Sequence, residues 1–316
     1  MSLRRSQKGV VLLAALIIVA ISTVIAVAIS FDTGLSMRRT QGAEAQEQAL
    51  LITGGAEALA AKILIEQLNI QGLSIHNAQQ WHQPIGPLEI FEGASLESNL
   101  EDLQGRFNLN SLVNSSGVIE PYAVEVFERL LVNLGLESKW ASAMADWIDT
   151  DLVETLPYGA EDSAYLGLNP PYRTANQLIS STSELMSLKD FGLERYVRIA
   201  PYVSALPSKT PINLCAASAP LLDALNGERQ WTQASEALER NRERRCFPRP
   251  EEFKSTFLDS AMFTSLSNTL GFKDRSEYFQ LRSFITVGTV QFSLYSLLYY
   301  NAQNKRIQVL ARQFAE

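Results

Sequence analysis

Val10–Phe31 reads VVLLAALIIVAISTVIAVAISF, a run of 22 residues without a charge. As a helix it would be about 33 Å long, close to the roughly 30 Å hydrocarbon core of a bilayer. Its polar residues are Ser22, Thr23 and Ser30, whose hydroxyls can bond back to helix carbonyls at little cost. The segment before it, MSLRRSQKG (1–9), is basic through Arg4, Arg5 and Lys8. Basic flanks stay on the cytoplasmic side, so everything from Asp32 onward is expected beyond the membrane.

The chain after this run decides what kind of membrane segment it is. From Asp32 to Asn69 there is no proline, and Ala, Leu, Glu and Gln dominate. Leu50, Leu51, Ala56, Leu59, Ala60, Ile63, Leu64 and Leu68 recur at helical spacing, with Gly54-Gly55 as the softest point. Three processing readings compete. One is a secretory signal cut after Ala26-Val27-Ala28, another an uncut anchor, and the third a prepilin-type leader cut between Gly9 and Val10. A signal peptide's apolar region is typically about 7 to 15 residues and is followed by a break, neither of which fits here. A membrane helix that runs on as an amphipathic helix does fit.

The 316 residues carry a net charge of −7, with 46 % hydrophobic and 19 % charged residues. An acidic balance speaks against a nucleic-acid partner, because phosphate binding needs a basic face. INLCAASAPLLDAL (212–225) has the opening of a DNA-binding helical hairpin but lacks its glycine turn. No G-x-S-x-G, Walker loop, H-E-x-x-H or dinucleotide fingerprint is present, so no enzyme is expected. His76 and His82 flank Trp81 in a polar stretch and read as surface residues. Cys215 and Cys246 fall on the oxidising side of the membrane, where one disulfide is the simplest reading and two buried thiols the other. The bridge would close a loop worth roughly 3–4 kcal/mol.

Pro87–Glu92 and Leu96–Leu103 read as short strands. Tyr278–Val287, Thr289–Tyr300 and Arg306–Phe314 alternate more clearly, with turns at Gly288 and 301–304. Between them Ser111–Asp274 is a helical block, with periodicity at Ala123–Leu134, Ser138–Ile148, Pro220–Leu225 and Thr232–Arg240. The expected fold is α+β, a long N-terminal helix packed on an antiparallel sheet that carries a large inserted all-α domain. Its parts are a leader (1–9), a transmembrane helix (10–31), a helix extension with the first strands (32–110), the inserted helical domain (111–275) and the final strands (276–316).

Ala145–Tyr172 holds six carboxylates, Asp146, Asp149, Asp151, Glu154, Glu161 and Asp162, with no Lys or Arg before Arg173. Like charges this dense call for a hard cation with oxygen ligands, or for plain solvation. Asp149-Thr150-Asp151 opens like an EF-hand loop, but Glu154 stands where that loop needs Gly and Ala160 where it needs Glu. A calcium site of another kind would draw on Asp149, Asp151, Glu161 and Asp162. Arg173 and Asn176 either anchor the loop or lie on the surface. The five arginines of Arg240–Arg249 read as a solvated helix end or a subunit contact.

Several stretches together resemble a known family. QKG before VVLLAALIIVAI looks like a prepilin processing site. GRFNLN (105–110), DWIDTD (146–151), YGAEDSAY (158–165), NPPYRTANQLISSTSEL (169–185) and TPINLCAASAPLL (210–222) follow in the order seen in the K-type minor pseudopilins of type II secretion. With Val10 as first mature residue, the fifth is Ala14, where pilin-like subunits commonly carry Glu; the K class lacks it too. The resemblance implies cleavage between Gly9 and Val10 by the prepilin peptidase, methylation, and a single-pass subunit of the bacterial inner membrane with its globular part in the periplasm. It implies calcium in the helical domain. It further implies a place at the pseudopilus tip with the I- and J-type minor pseudopilins, an assembly platform in the inner membrane, and a role in protein export across the outer membrane. The alternatives are a minor pilin of a type IV pilus and a membrane-anchored periplasmic calcium-binding protein.

Overall fold

The computed structural model describes residues 8–70, 74–257 and 259–315, with the backbone alone for Lys8, Gly9 and Ala315. The leader up to Gln7 lies outside the described residues. Helix α1 (Lys8–Leu68) is one unbroken helix of 61 residues, roughly 90 Å at 1.5 Å per residue, and it continues through Gly54-Gly55. Its most apolar 18-residue window has mean hydropathy 3.1 and no part of it is buried. The far half docks by Ala45, Ala49, Ile52, Ala56, Ala60, Leu64 and Leu68, spaced by three or four residues. This differs from the expected stripe, since Leu50, Leu51 and Leu59 face outward. Alanines let the helix axis sit close to the sheet, and the longer leucines are left on the flank.

The sheet is antiparallel throughout, in the order β1 (Ile85–Phe91), β2 (Ala94–Asp102), β7 (Tyr278–Val287), β8 (Val290–Asn301), β9 (Arg306–Ala315). Alternate residues point at α1, among them Leu96 and Leu100, then Phe279, Leu281 and Ile285, then Leu294 and Leu298. The register sets Leu100 opposite Leu281 and Ser283 opposite Leu294. Glu57, buried on α1, accepts both guanidinium bonds of Arg312 on β9 at 2.7 and 2.8 Å and the Ser296 hydroxyl at 2.7 Å. Burial raises its pKa, but those bonds outweigh it and hold the carboxyl below its ordinary value.

Between β2 and β7, adjacent strands in the sheet, the chain makes the whole helical domain. In order come β3 (Phe107–Asn108), α2 (Pro121–Asn133), α3 (Trp140–Ile148), α4 (Asp162–Tyr165), α5 (Gly192–Ile199), β4 (Val203–Ser204), β5 (Ile212–Asn213), α6 (Ala219–Asn226), α7 (Gln230–Gln233), α8 (Ser235–Arg242), α9 (Pro250–Lys254), α10 (Ser260–Leu270) and β6 (Phe272–Lys273). Besides helices and irregular loops, the insert has two short parallel pairs, β3 with β4 and β5 with β6, and an antiparallel bridge between Val113 and Ile119. Thr232–Arg240, expected as one helix, is divided at Ala234 between α7 and α8, and the Asp223 carboxylate accepts the Trp231 and Thr232 N–H groups at the start of α7. Cys215 and Cys246 are joined as a disulfide with Cα atoms 4.9 Å apart. Arg242 is buried beside it and donates to the carbonyls of Leu214, Ala217 and Phe247, so this arginine is not part of a solvated helix end.

The insert is fastened where it leaves and rejoins the sheet. Asp102, fully buried, accepts from the N–H groups of Gln104 and Gly105, from Ser276 Oγ and from Asn213 Nδ2. Asn213 Nδ2 also lies 2.9 Å from the Ile75 carbonyl just past α1. Gly105 has to be glycine here, since a Cβ would stand 2.7 Å from the Ala216 carbonyl oxygen. Replacing Glu57 with Ala is expected to lower the unfolding free energy by about 1.5–3 kcal/mol, the usual range for hydrogen bonds to a buried charged group. Denaturant titration of the full chain measures this, and a loss below about 0.5 kcal/mol would contradict the role given to Glu57.

Candidate metal centre

Helix α3 is buried at every residue from Trp140 to Ile148. That leaves Asp146 inside the domain and sets Asp149 at the helix C-cap, its N–H bonded to the Ala145 carbonyl at 2.9 Å. A helix C-terminus carries negative partial charge, so an acidic cap there adds to the repulsion rather than relieving it. The chain then loops out and returns so that Glu161 stands directly before α4. Asp149, Asp151 and Glu161 each bring a carboxylate oxygen within 4.8 Å of the others. Asp149 and Glu161 are buried and Asp151 is exposed.

Among the described residues, Asp149 Oδ1, Glu161 Oε1 and Asp146 Oδ1 are buried oxygens that accept no hydrogen bond. The second oxygens of Asp146 and Glu161 are better served. Asp146 Oδ2 accepts the Thr155 N–H at 2.9 Å, and Thr174 Oγ1 is 3.1 Å from both Glu161 Oε2 and Asp162 Oδ1, with one proton to share. Burial pushes the Asp149 carboxyl up to about 7, helped by Asp151, Asp146 and Glu161. Glu161 is also pushed up to about 7, by burial first and by Asp146, Asp151 and Asp162, against the pull of Thr174. Asp146 is raised by burial, with the Thr155 bonds opposing. Three carboxylates within 4.8 Å of one another, two of them with a buried oxygen that accepts no hydrogen bond, fit the donor chemistry of a hard divalent cation.

Asp162, the fourth residue expected at the site, is outside this group. At the first turn of α4 its carboxylate turns to the Thr174 N–H at 3.1 Å, and Arg173 Nε stands 3.7 Å away. Asn176 rather than Arg173 ties the loop down. Its N–H donates to the Trp147 carbonyl at 3.0 Å and its Nδ2 reaches the Asp151 carbonyl at 3.4 Å, whereas Arg173 is mostly exposed. Asp146, read only as one of six carboxylates, contributes a buried oxygen, which its helical position three residues before Asp149 makes intelligible. Gly159 permits this approach, because a Cβ there would meet both Asp146 Oδ2 and the Thr155 backbone. Trp147, Tyr165 and Tyr172 wall the site, with ring centroids 5.3–6.3 Å apart.

Residues 105–208 match the family profile described as "Type II secretion system (T2SS), protein K". Over 99 % of its length the chain is 32 % identical to the type II secretion system protein K of Pseudomonas aeruginosa, covering 95 % of that protein. It is 33 % identical over 99 % of its length to protein K of Pectobacterium carotovorum, covering 98 % of it. The chain belongs to the type II secretion system protein K family. Its fold is that of a protein in the crystallised GspK-GspI-GspJ complex of the enterotoxigenic Escherichia coli type 2 secretion system, with TM-score 0.74, 26 % identity, and coverage of 88 % of this chain and 99 % of that one. A protein K is a minor pseudopilin of type II secretion, and the apolar half of α1 is its membrane-anchoring segment. The reading as a type IV pilus subunit is set aside by this membership.

The pKa directions have a consequence for stability. Unfolded, Asp149 and Glu161 lose their protons near 3.8 and 4.5, but folded they keep them up to about 7. The folded chain binds more protons across that window, so this site's contribution to stability falls as pH rises through it. A bound cation replaces the protons. Calcium is therefore expected to raise the melting temperature of the full chain more at about pH 7.5 than at about pH 5, against EGTA at each pH. Thermal melts of the wild type and of Asp149→Asn test this, and a wild type indifferent to EGTA at both pH values would contradict it.

Proposed function

We propose that this chain is released from its leader between Gly9 and Val10 and then heads the pseudopilus, where it helps start assembly with the I- and J-type minor pseudopilins. Ala14 carries this reading. A carboxylate in the apolar part of a membrane helix is costly unless paired, and in pilin-like filaments the Glu at this place is thought to pair with the N-terminal amine of a neighbour. A subunit with Ala14 offers no such pairing to a subunit above it, so it suits the end of a filament. The bulk of the insert supports the same place, since a domain hung between β2 and β7 would crowd a tightly packed shaft.

The globular part then lies in the periplasm, with the basic leader cytoplasmic until cleavage. Calcium, held by Asp149, Asp151 and Glu161 with Asp146 behind them, would offset two of their negative charges and cross-link α3 to α4. The siblings have a surface to meet. An apolar groove of about 460 Å³ runs between α1 and the edge of the sheet, lined by Leu51, Leu59, Leu88, Ile90 and Phe91. The related GspK crystallised in complex with GspI and GspJ, which supports siblings of that kind as partners here.

The full-length Ala14→Glu variant is expected to insert in the membrane at the wild-type level while secretion falls several-fold in cells that depend on it. Immunoblots of membranes and of culture supernatants read both quantities. Unchanged secretion and unchanged pseudopili would contradict the tip assignment.

A further inference from the structure

The loop that closes the carboxylate cluster carries an apolar crown. Leu152, Val153, Leu156 and Tyr158 are 64, 73, 85 and 57 % exposed, four large apolar side chains within seven residues on a water-facing surface. The loop under them is pinned. Thr150 N–H bonds the Gly117 carbonyl, Val153 N–H bonds Asp151 Oδ1, Thr155 N–H bonds Asp146 Oδ2, and Gly159 N–H bonds the Thr155 carbonyl. The side chains are thus held out by a tied backbone, and an ordered apolar patch on a globular surface marks an interaction site.

We propose that Leu152, Val153, Leu156 and Tyr158 form a docking patch for a protein segment whose apolar side chains are ringed by Lys or Arg. Charge selects this partner. Glu154 lies exposed on the same loop, the cluster of Asp146, Asp149, Asp151 and Glu161 beside it carries more negative charge than one divalent cation cancels, and no basic residue occurs from Ala145 to Tyr172. An anionic bilayer would meet that acidic rim with repulsion, whereas a basic-rimmed protein segment gains Coulomb steering as well as apolar contact. The patch lies on the inserted domain, away from the groove beside α1, and goes beyond the assignment of the tip.

The full chain in phosphatidylcholine nanodiscs, with calcium in the buffer, is titrated into a fluorescein-labelled amphipathic peptide of Leu, Phe and Lys, and into the same peptide with every Lys replaced by Glu. Empty nanodiscs supply the baseline for anisotropy. The Lys peptide is expected to bind about tenfold more tightly than the Glu peptide, a difference that Leu152→Ser/Val153→Ser/Leu156→Ser abolishes. Leu156→Ser alone, at the most exposed position, is expected to weaken binding about threefold and serves if the triple variant melts early. Equal affinity for the two peptides, or wild-type affinity in Leu156→Ser, overturns the proposal. So does Leu156-dependent flotation of the nanodiscs with phosphatidylglycerol vesicles, which would make the patch a lipid-binding one.

Discussion

Asp146, Asp149, Asp151 and Glu161 repel one another at the end of a buried helix, and the fold of the inserted domain has to discharge that repulsion by taking up protons or a cation. The location makes the demand severe. The C-terminus of α3 adds its own negative dipole, and burial removes the water that would screen the charges. Around this point the domain arranges its loop. Thr155 holds Asp146, Thr174 bridges Glu161 and Asp162, Asn176 fastens the returning loop to Trp147, and the rings of Trp147, Tyr165 and Tyr172 pack on one another. Glu161, just before α4, is thereby held beside Asp149 at the end of α3.

The second constraint is the splice between the two halves. Inserting a domain between adjacent antiparallel strands requires the exit and entry points to stay a strand spacing apart. Asp102 at the end of β2 and Ser276 just before β7 share a hydrogen bond of 2.6 Å, and Asn213 from the insert joins both to the backbone beyond α1. The buried asparagines of the N-L-N stretch act similarly inside the domain. Asn108 and Asn110 bond the backbone at 179 and 206–207, so side-chain amides stand in for a missing sheet. The helix and the sheet therefore share one apolar core and the insert has its own, and polar contacts at a few points fasten the insert to the other two.

Where the sequence carries a strong period it told the structure well. The uncharged run of α1 and the alternation of Tyr278–Val287 translate directly into a helix and a strand, since both rest on local patterning alone. On α1 half of the expected apolar positions, Ala56, Ala60, Leu64 and Leu68, are buried, and close packing favours the small residues Ala45, Ala49 and Ala56 over Leu51 and Leu59. Glu57 gives no local sign of burial; its partner Arg312 is 255 residues away. Arg242 likewise looks solvated within its run of arginines, and only the carbonyls of Leu214, Ala217 and Phe247 draw it inward. In the acidic segment, composition pointed to a stretch in which the fold brings Asp149, Asp151 and Glu161 together. The exclusion of Asp162 depends on the turn of α4, which swings neighbouring carboxylates apart, and that turn is not written in the charge pattern.

The proposed discharge of the carboxylate cluster by calcium stands or falls on direct binding. Isothermal titration of the calcium-stripped full chain with calcium at neutral pH should show a saturable event with proton release, abolished in Asp149→Asn and in Glu161→Gln and retained in Asp162→Asn. Heats no larger than buffer dilution in the wild type, or binding that survives Asp149→Asn and Glu161→Gln together, would contradict the account.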